Sequence, residues 1–168
     1  MSREIQTISR QHQEIHEGES FFAMKSGTVG DGSDLEIRIQ APNVDDTYHF
    51  EYTVICTGQT TIDFYKGTSL VDVPNNRLVS WNRNENSSNT SSLLICHTPS
   101  GTGGDGTKIG DSLLIGLDTS LGQSGSIAGG TVSGRNEIVL GRGVAYLLRV
   151  TSGTDGNRVN IVLDWYIH

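Results

Sequence analysis

At 168 residues the chain suits one domain, and a chain of this size buries roughly two-thirds of the surface its unfolded form exposes, enough for a single core. Hydrophobic residues make up 35% of it and there are 21 glycines, which argues against a helical bundle and for short strands joined by many turns. A net charge of -7 argues against a nucleic-acid partner, whose phosphates are bound by Lys and Arg, and no apolar run approaches the roughly 18 residues of a membrane helix.

The first 18 residues stand apart. They lack the uninterrupted apolar stretch of a secretory signal, so synthesis in the cytoplasm is expected. Ile5, Ile8, His12 and Ile15 fall at spacings of 3, 4 and 3, the stripe of a short helix. Two heptads are too few to stand alone in water, so this segment is expected to be an arm that orders against a partner. Residues 19–168 form the expected β-sandwich domain.

After an apolar run at Phe21 to Lys25, residues 34–40 put Leu35, Ile37 and Ile39 on one side of an extended segment and Glu36, Arg38 and Gln40 on the other. Residues 47–56 repeat the pattern with Tyr48, Phe50, Tyr52 and Val54. Thr57-Gly58-Gln59 then leads to residues 60–66, a connection short enough to predict a hairpin. Further apolar runs occur at Ser92 to His97, Ser112 to Leu117, Asn136 to Leu140, Val144 to Val150 and Arg158 to Ile167, about nine strands in all. Gly153 to Asn157 predicts a second hairpin between the last two. Many short strands and no crossover helices point to an all-β, single-domain antiparallel β-sandwich of jelly-roll-like topology. Residues 98–111 and 118–135 are too rich in Gly, Ser and Thr to build a core and read as long loops.

Reactive chemistry finds little support. Gly106 is followed by Thr107 before Lys108, which breaks the phosphate-loop pattern. His12 and His16 lie one helical turn apart, but the zinc-protease arrangement needs Glu directly after the first His and Gln13 stands there, so an adventitious surface pair is expected. No Gly-x-Ser-x-Gly elbow is present, and the carboxylates are scattered singly. Cys56 and Cys96 each lie in an apolar run and read as buried thiols. No enzyme, cofactor or metal is therefore expected. Residues 79–89 differ in kind: Trp81 and Arg83 are residue types favoured at interface hot spots, while Asn82 and Asn84 suit either a turn or a partner's backbone. The plainer alternative is a turn with Trp81 packed over the sandwich rim.

From residue 14 onward the order of landmarks resembles the head decoration, or cement, proteins of tailed bacteriophages. The matching pieces are Ile15-His16-Glu17-Gly18, Phe64-Tyr65-Lys66-Gly67-Thr68, Asn82-Arg83-Asn84, Cys96-His97-Thr98-Pro99, Arg135-Asn136-Glu137, Tyr146-Leu147-Leu148-Arg149-Val150-Thr151 and Leu163-Asp164-Trp165-Tyr166. The resemblance implies a structural protein of the virion, a homotrimer seated on the outer capsid surface at threefold or quasi-threefold axes, with the major capsid protein and its own copies as partners. Ile5, Ile8, His12, Ile15, Trp81, Asn82, Arg83 and Asn84 are the expected contact residues. The competing expectation is a glycan- or receptor-binding virion module, which calls for an exposed aromatic cluster in a groove.

Overall fold

The computed structural model describes residues 10–115, 130–133 and 137–168. A short helix α1 (Arg10–Glu17) precedes twelve strands: β1 (Ser20–Val29), β2 (Asp34–Gln40), β3 (Tyr48–Cys56), β4 (Thr60–Lys66), β5 (Trp81–Asn82), β6 (Leu94–His97), β7 (Thr107–Lys108), β8 (Leu113–Ile115), β9 (Gly130–Ser133), β10 (Ile138–Leu140), β11 (Ala145–Ser152) and β12 (Asn157–Ile167). They form two antiparallel sheets. Sheet A runs β10-β3-β12-β1-β5 with β9 also on β3, and sheet B runs β6-β2-β11-β4-β7 with β8 also on β4. The pairing is nested, β1 with β12, β2 with β11, β3 with β9 and β10, and β4 with β7 and β8. A long folded-back ribbon wrapped into two layers gives this order, that of a jelly roll.

Alternation decides which side of each strand is buried. On β2, Leu35, Ile37 and Ile39 face inward between half-exposed Glu36, Arg38 and Gln40. On β12, Val159, Ile161, Leu163, Trp165 and Ile167 do the same. Inside, Phe64 of sheet B stacks on Tyr52 and on Tyr146, with ring centroids 5.6 Å apart in each case. Trp165 stacks on Phe21 and donates its indole N–H to Ser91 Oγ at 2.9 Å, so its single polar atom is satisfied within the core. Cys56 and Cys96 are both buried free thiols.

Two connections depart from the sequence expectation. Thr57-Gly58-Gln59 does not close a hairpin: β3 lies in sheet A and β4 in sheet B. Residues 153–157 likewise carry the chain from β11 in sheet B to β12 in sheet A. Both are arches over the sandwich rim, and they lie against each other, with Gly153 N donating to Gln59 O (2.8 Å) and Arg158 N to Thr57 Oγ1 (2.9 Å). A third arch, from β1 to β2, sits on the other flank, where Gly32 N bonds Ser152 O at 2.8 Å and Asp31 N bonds Asp155 Oδ1 at 2.9 Å.

The buried side chain of Asn157 holds this rim together. Its Oδ1 accepts from Gly58 N (2.9 Å) and Thr57 N (3.1 Å), and its Nδ2 donates to Thr60 Oγ1 (2.8 Å) and Ser152 Oγ (3.0 Å). Thr57 N also donates to Arg158 O of β12 at 3.1 Å, so the ladder with β12 runs to the start of the arch, and Gly58 N just beyond it is received by the Asn157 amide.

The Gly- and Ser-rich stretches also contain more order than their composition implies. Residues 130–133, expected within a loop, form β9 against residues 53–56 of β3. Residues 118–129 and 134–135 of that loop lie outside the described residues, as do residues 116, 117 and 136 of the expected strands beside it, and Ile5 and Ile8. β1 extends well past the predicted Phe21 to Lys25, because all ten of its residues pair with β12 even across Ser26-Gly27-Thr28.

Replacing Asn157 by Ala removes the acceptor of Gly58 N and the amide that bonds the buried Thr60 and Ser152 hydroxyls, and an unsatisfied buried group costs about 1–3 kcal/mol. Asn157→Ala is expected to lower the urea-unfolding free energy by roughly 2–4 kcal/mol with an unchanged denaturant slope. A loss under about 1 kcal/mol would mean that the arches hold without the amide.

Candidate functional surface

The two outer faces of the sandwich differ. The outer face of sheet B is roofed by the chain itself, along residues 67–73 and 98–106. Arg38 reaches up from β2, its Nε donating to Leu70 O and its Nη1 to Asp72 Oδ1, both at 2.7 Å. Arg149 of β11 grips Asp105 through two bonds of 2.6 and 2.7 Å and also bonds Glu36 Oε1. The roof strands meet through Val71 and Ser100, which exchange backbone bonds of 2.8 and 3.1 Å. Leu147 and Cys96 point outward from sheet B, opposite one another across Arg38, yet both are fully buried beneath this cover.

Glycine makes the cover possible. Gly106 adopts φ 100°, and a Cβ there would collide with the Lys66 carbonyl. The hydrogen bond from Arg149 holds the Asp105 carboxyl below its ordinary value, against the opposing effect of burial. At Asp63 burial alone would raise the carboxyl, but hydrogen bonds from Lys108 and Ser112 bring it below the ordinary value.

Among the described residues, nothing comparable lies over the outer face of sheet A. Trp81 on β5 pairs with Phe22 on β1; Met24 pairs with Val162 on β12, and Asn160 with Ile55 on β3. These side chains share the outward side and form an apolar diagonal. Trp81 is 60% exposed and Met24 61%, with Ile55 and Val139 exposed as well. A shallow groove of ≈ 340 Å³ lined by Met24, Ile55, Asn160 and Val162 lies in its middle. Contiguous apolar surface of this kind marks an interaction site more often than scattered single residues do.

Polar groups frame the diagonal. Arg83 pairs with Asp164 and lies over the Phe22 ring, 5.3 Å from its centroid. Glu51 stands directly across from Asp164. Burial first, and then the charges of Glu137 and Asp164, push the Glu51 carboxyl above its ordinary value. At the far corner, His49 stacks on Tyr166 and on His168 and pairs with Glu137, which also accepts from Tyr166 OH at 2.7 Å.

The expected contact residues are distributed unequally. Trp81 presents itself on the bare face, and of the aromatic side chains it alone is exposed, which leaves no aromatic cluster there. Asn82, Arg83 and Asn84 are engaged within the chain. Asn82 Nδ2 donates to Gly18 O (2.8 Å) and its Oδ1 accepts from Asn84 N; Asn84 Nδ2 donates to His16 O (3.1 Å). This asparagine loop clasps the C-terminal end of α1, which Gly18 closes in a left-handed conformation at φ 77°. His12 is exposed on α1 and Ile15 half-buried, so the helix packs at the rim of sheet A rather than projecting alone. The residues that sequence reasoning missed, Phe22, Met24, Ile55 and Val162, are the outward half of the strand alternation, and only cross-strand register brings them together.

No group of three or more His, Cys, Asp or Glu side chains among the described residues is arranged to hold a metal ion, and no helix among them is long and apolar enough to cross a membrane. Comparison with protein-family models, with curated proteins and with solved structures finds no match in any of the three.

Like charges directly opposite on a sheet are destabilising, so Glu51→Gln is expected to stabilise the fold at pH 7 by about 0.5 kcal/mol. The sign follows from the raised carboxyl: the folded chain takes up this proton more readily than the unfolded one, so the cost is full above the folded value and vanishes below the ordinary 4.5. Thermal unfolding of both proteins from pH 4 to pH 7 checks this, and a gain that does not shrink toward acid would contradict it.

Proposed function

We propose that the chain is a structural decoration protein of a tailed-phage head, docking on the outer surface of the capsid as a homotrimer at threefold or quasi-threefold axes and stabilising the shell. The single observation that carries this reading is the unequal treatment of the two sheet faces. One is closed by the chain's own loops through two arginine clamps, while the other leaves Trp81, Met24, Ile55 and Val162 for another protein to cover. The order of sequence landmarks that resembles cement proteins supplies the kind of partner, the major capsid protein.

The physical demands of such a role are modest. It needs a stable core, a docking face, and contacts repeated many times over a shell, each of which can be weak because all must be lost before the shell opens locally. A reactive centre has no part in it. Aromatic side chains are common anchors of interfaces, and Trp81, at the β5 edge of the face beside Phe22 and the Arg83–Asp164 pair, offers one.

Purified chain incubated with heads that lack it, then sedimented and imaged by electron microscopy, tests the reading. Trp81→Ala and Met24→Asp are expected to reduce affinity roughly 30-fold, the loss of a hot spot of about 2 kcal/mol, while circular dichroism stays unchanged. Full occupancy by both variants removes this face from the account. Binding on a glycan array with none to heads would replace the reading with a carbohydrate-recognition role.

A further inference from the structure

α1 carries a feature that the docking face of sheet A does not use. His12 and His16 lie on one side of the helix with both rings exposed, and their Nε2 atoms are 2.9 Å apart. We propose that these two imidazoles form a two-point chelate for a first-row divalent transition metal of the nickel or copper type.

The geometry selects the metal class. With metal–nitrogen bonds of about 2.0–2.1 Å, tetrahedral ligands sit roughly 3.3–3.4 Å apart, whereas adjacent ligands at right angles sit about 2.9 Å apart. The observed separation, at which one imidazole N–H bonds the nitrogen of the other ring, is close to the right-angled one that square-planar or octahedral ions accept, and an ion would take the place of that proton. The remaining coordination positions would be filled by water.

The site is also held in place before any ion arrives. The backbone carbonyl of His16 accepts from Asn84 Nδ2 at 3.1 Å, and Glu19 N donates to Glu14 O at 2.8 Å, which ties the last turn of the helix to the sandwich. A fixed helix turn spares most of the ordering cost that a free peptide would meet on chelation. Nearby carboxylates do not duplicate the site. Glu17 is bonded by Gln13 Nε2 at 2.8 Å and, together with Glu14, Glu19 and Asp46, lines a depression beside His168 that neither His12 nor His16 enters. They add negative potential that draws cations toward the helix.

Isothermal titration of the full chain with NiCl2 at pH 7.5 tests the proposal. One Ni2+ per chain is expected, with affinity falling at least tenfold in His12→Gln and in His16→Gln and unchanged in His97→Gln, and with a raised thermal midpoint for the metal-loaded wild type only. Equal affinity in either α1 variant overturns the site. Equally tight CaCl2 binding overturns it too, because a hard cation reports the carboxylates rather than imidazole. Zn2+ outcompeting Ni2+ overturns the right-angled geometry.

Discussion

The fold depends on one buried amide. Asn157 sits where three arches meet, and its side chain accepts from Gly58 N of the β3–β4 connection, one residue past the last backbone bond between β3 and β12. A jelly roll requires consecutive strands to lie in opposite sheets, so each sharp connection must turn over the rim and leave peptide groups pointing into the interior. One Asn, with donor and acceptor at its tip, answers both kinds of need at once: its oxygen takes two N–H groups and its nitrogen reaches Thr60 and Ser152. A hydrophobic residue of the same size would fill the space and strand those groups.

From that rim the inequality of the two faces follows. With β1 to β4 alternating between sheets, the long excursion after β4 must return across the molecule, and it lays β5 beside β1 in sheet A and β6 beside β2 in sheet B. On the sheet B side it passes over the outer face, where Arg38 and Arg149 hold it down and Leu147 becomes interior in all but topology. On the sheet A side it contributes only the two residues of β5, so Trp81 ends as an edge group with its ring toward solvent. The asparagines around it are consumed in fastening α1.

Much of the layer structure was legible in the sequence, because a period of two with β-branched and aromatic residues has one physical meaning in β2, β3, β4, β11 and β12. The arches were not. A three-residue link such as Thr57-Gly58-Gln59 serves a hairpin or an arch equally well, and the choice is made by Asn157, a hundred residues later. The second half of β1 was hidden for a related reason: Ser26-Gly27-Thr28 has no apolar side chain and a strand-weakening Gly at its centre, and its conformation comes from the ladder with β12. The docking face was half legible. Trp81 stood out by residue type, whereas Met24, Ile55 and Val162 are ordinary outward positions until register sets them in line. Asn82 and Asn84 read equally well as interface groups or turn formers, and only their bonds to Gly18 and His16 decide.

The placement of β12 has a further consequence, for the order of events during synthesis. This strand fills the middle of sheet A, between β1 and β3, although it follows both of them, and every other described strand, in sequence. While the ribosome is still making the earlier segments, those two strands flank an empty slot, and their inward side chains have no completed layer to close against. Closure therefore waits for β12, and such long-range pairing is intrinsically slow. In the interval the nascent chain carries unpaired edges of the kind that chaperones shield.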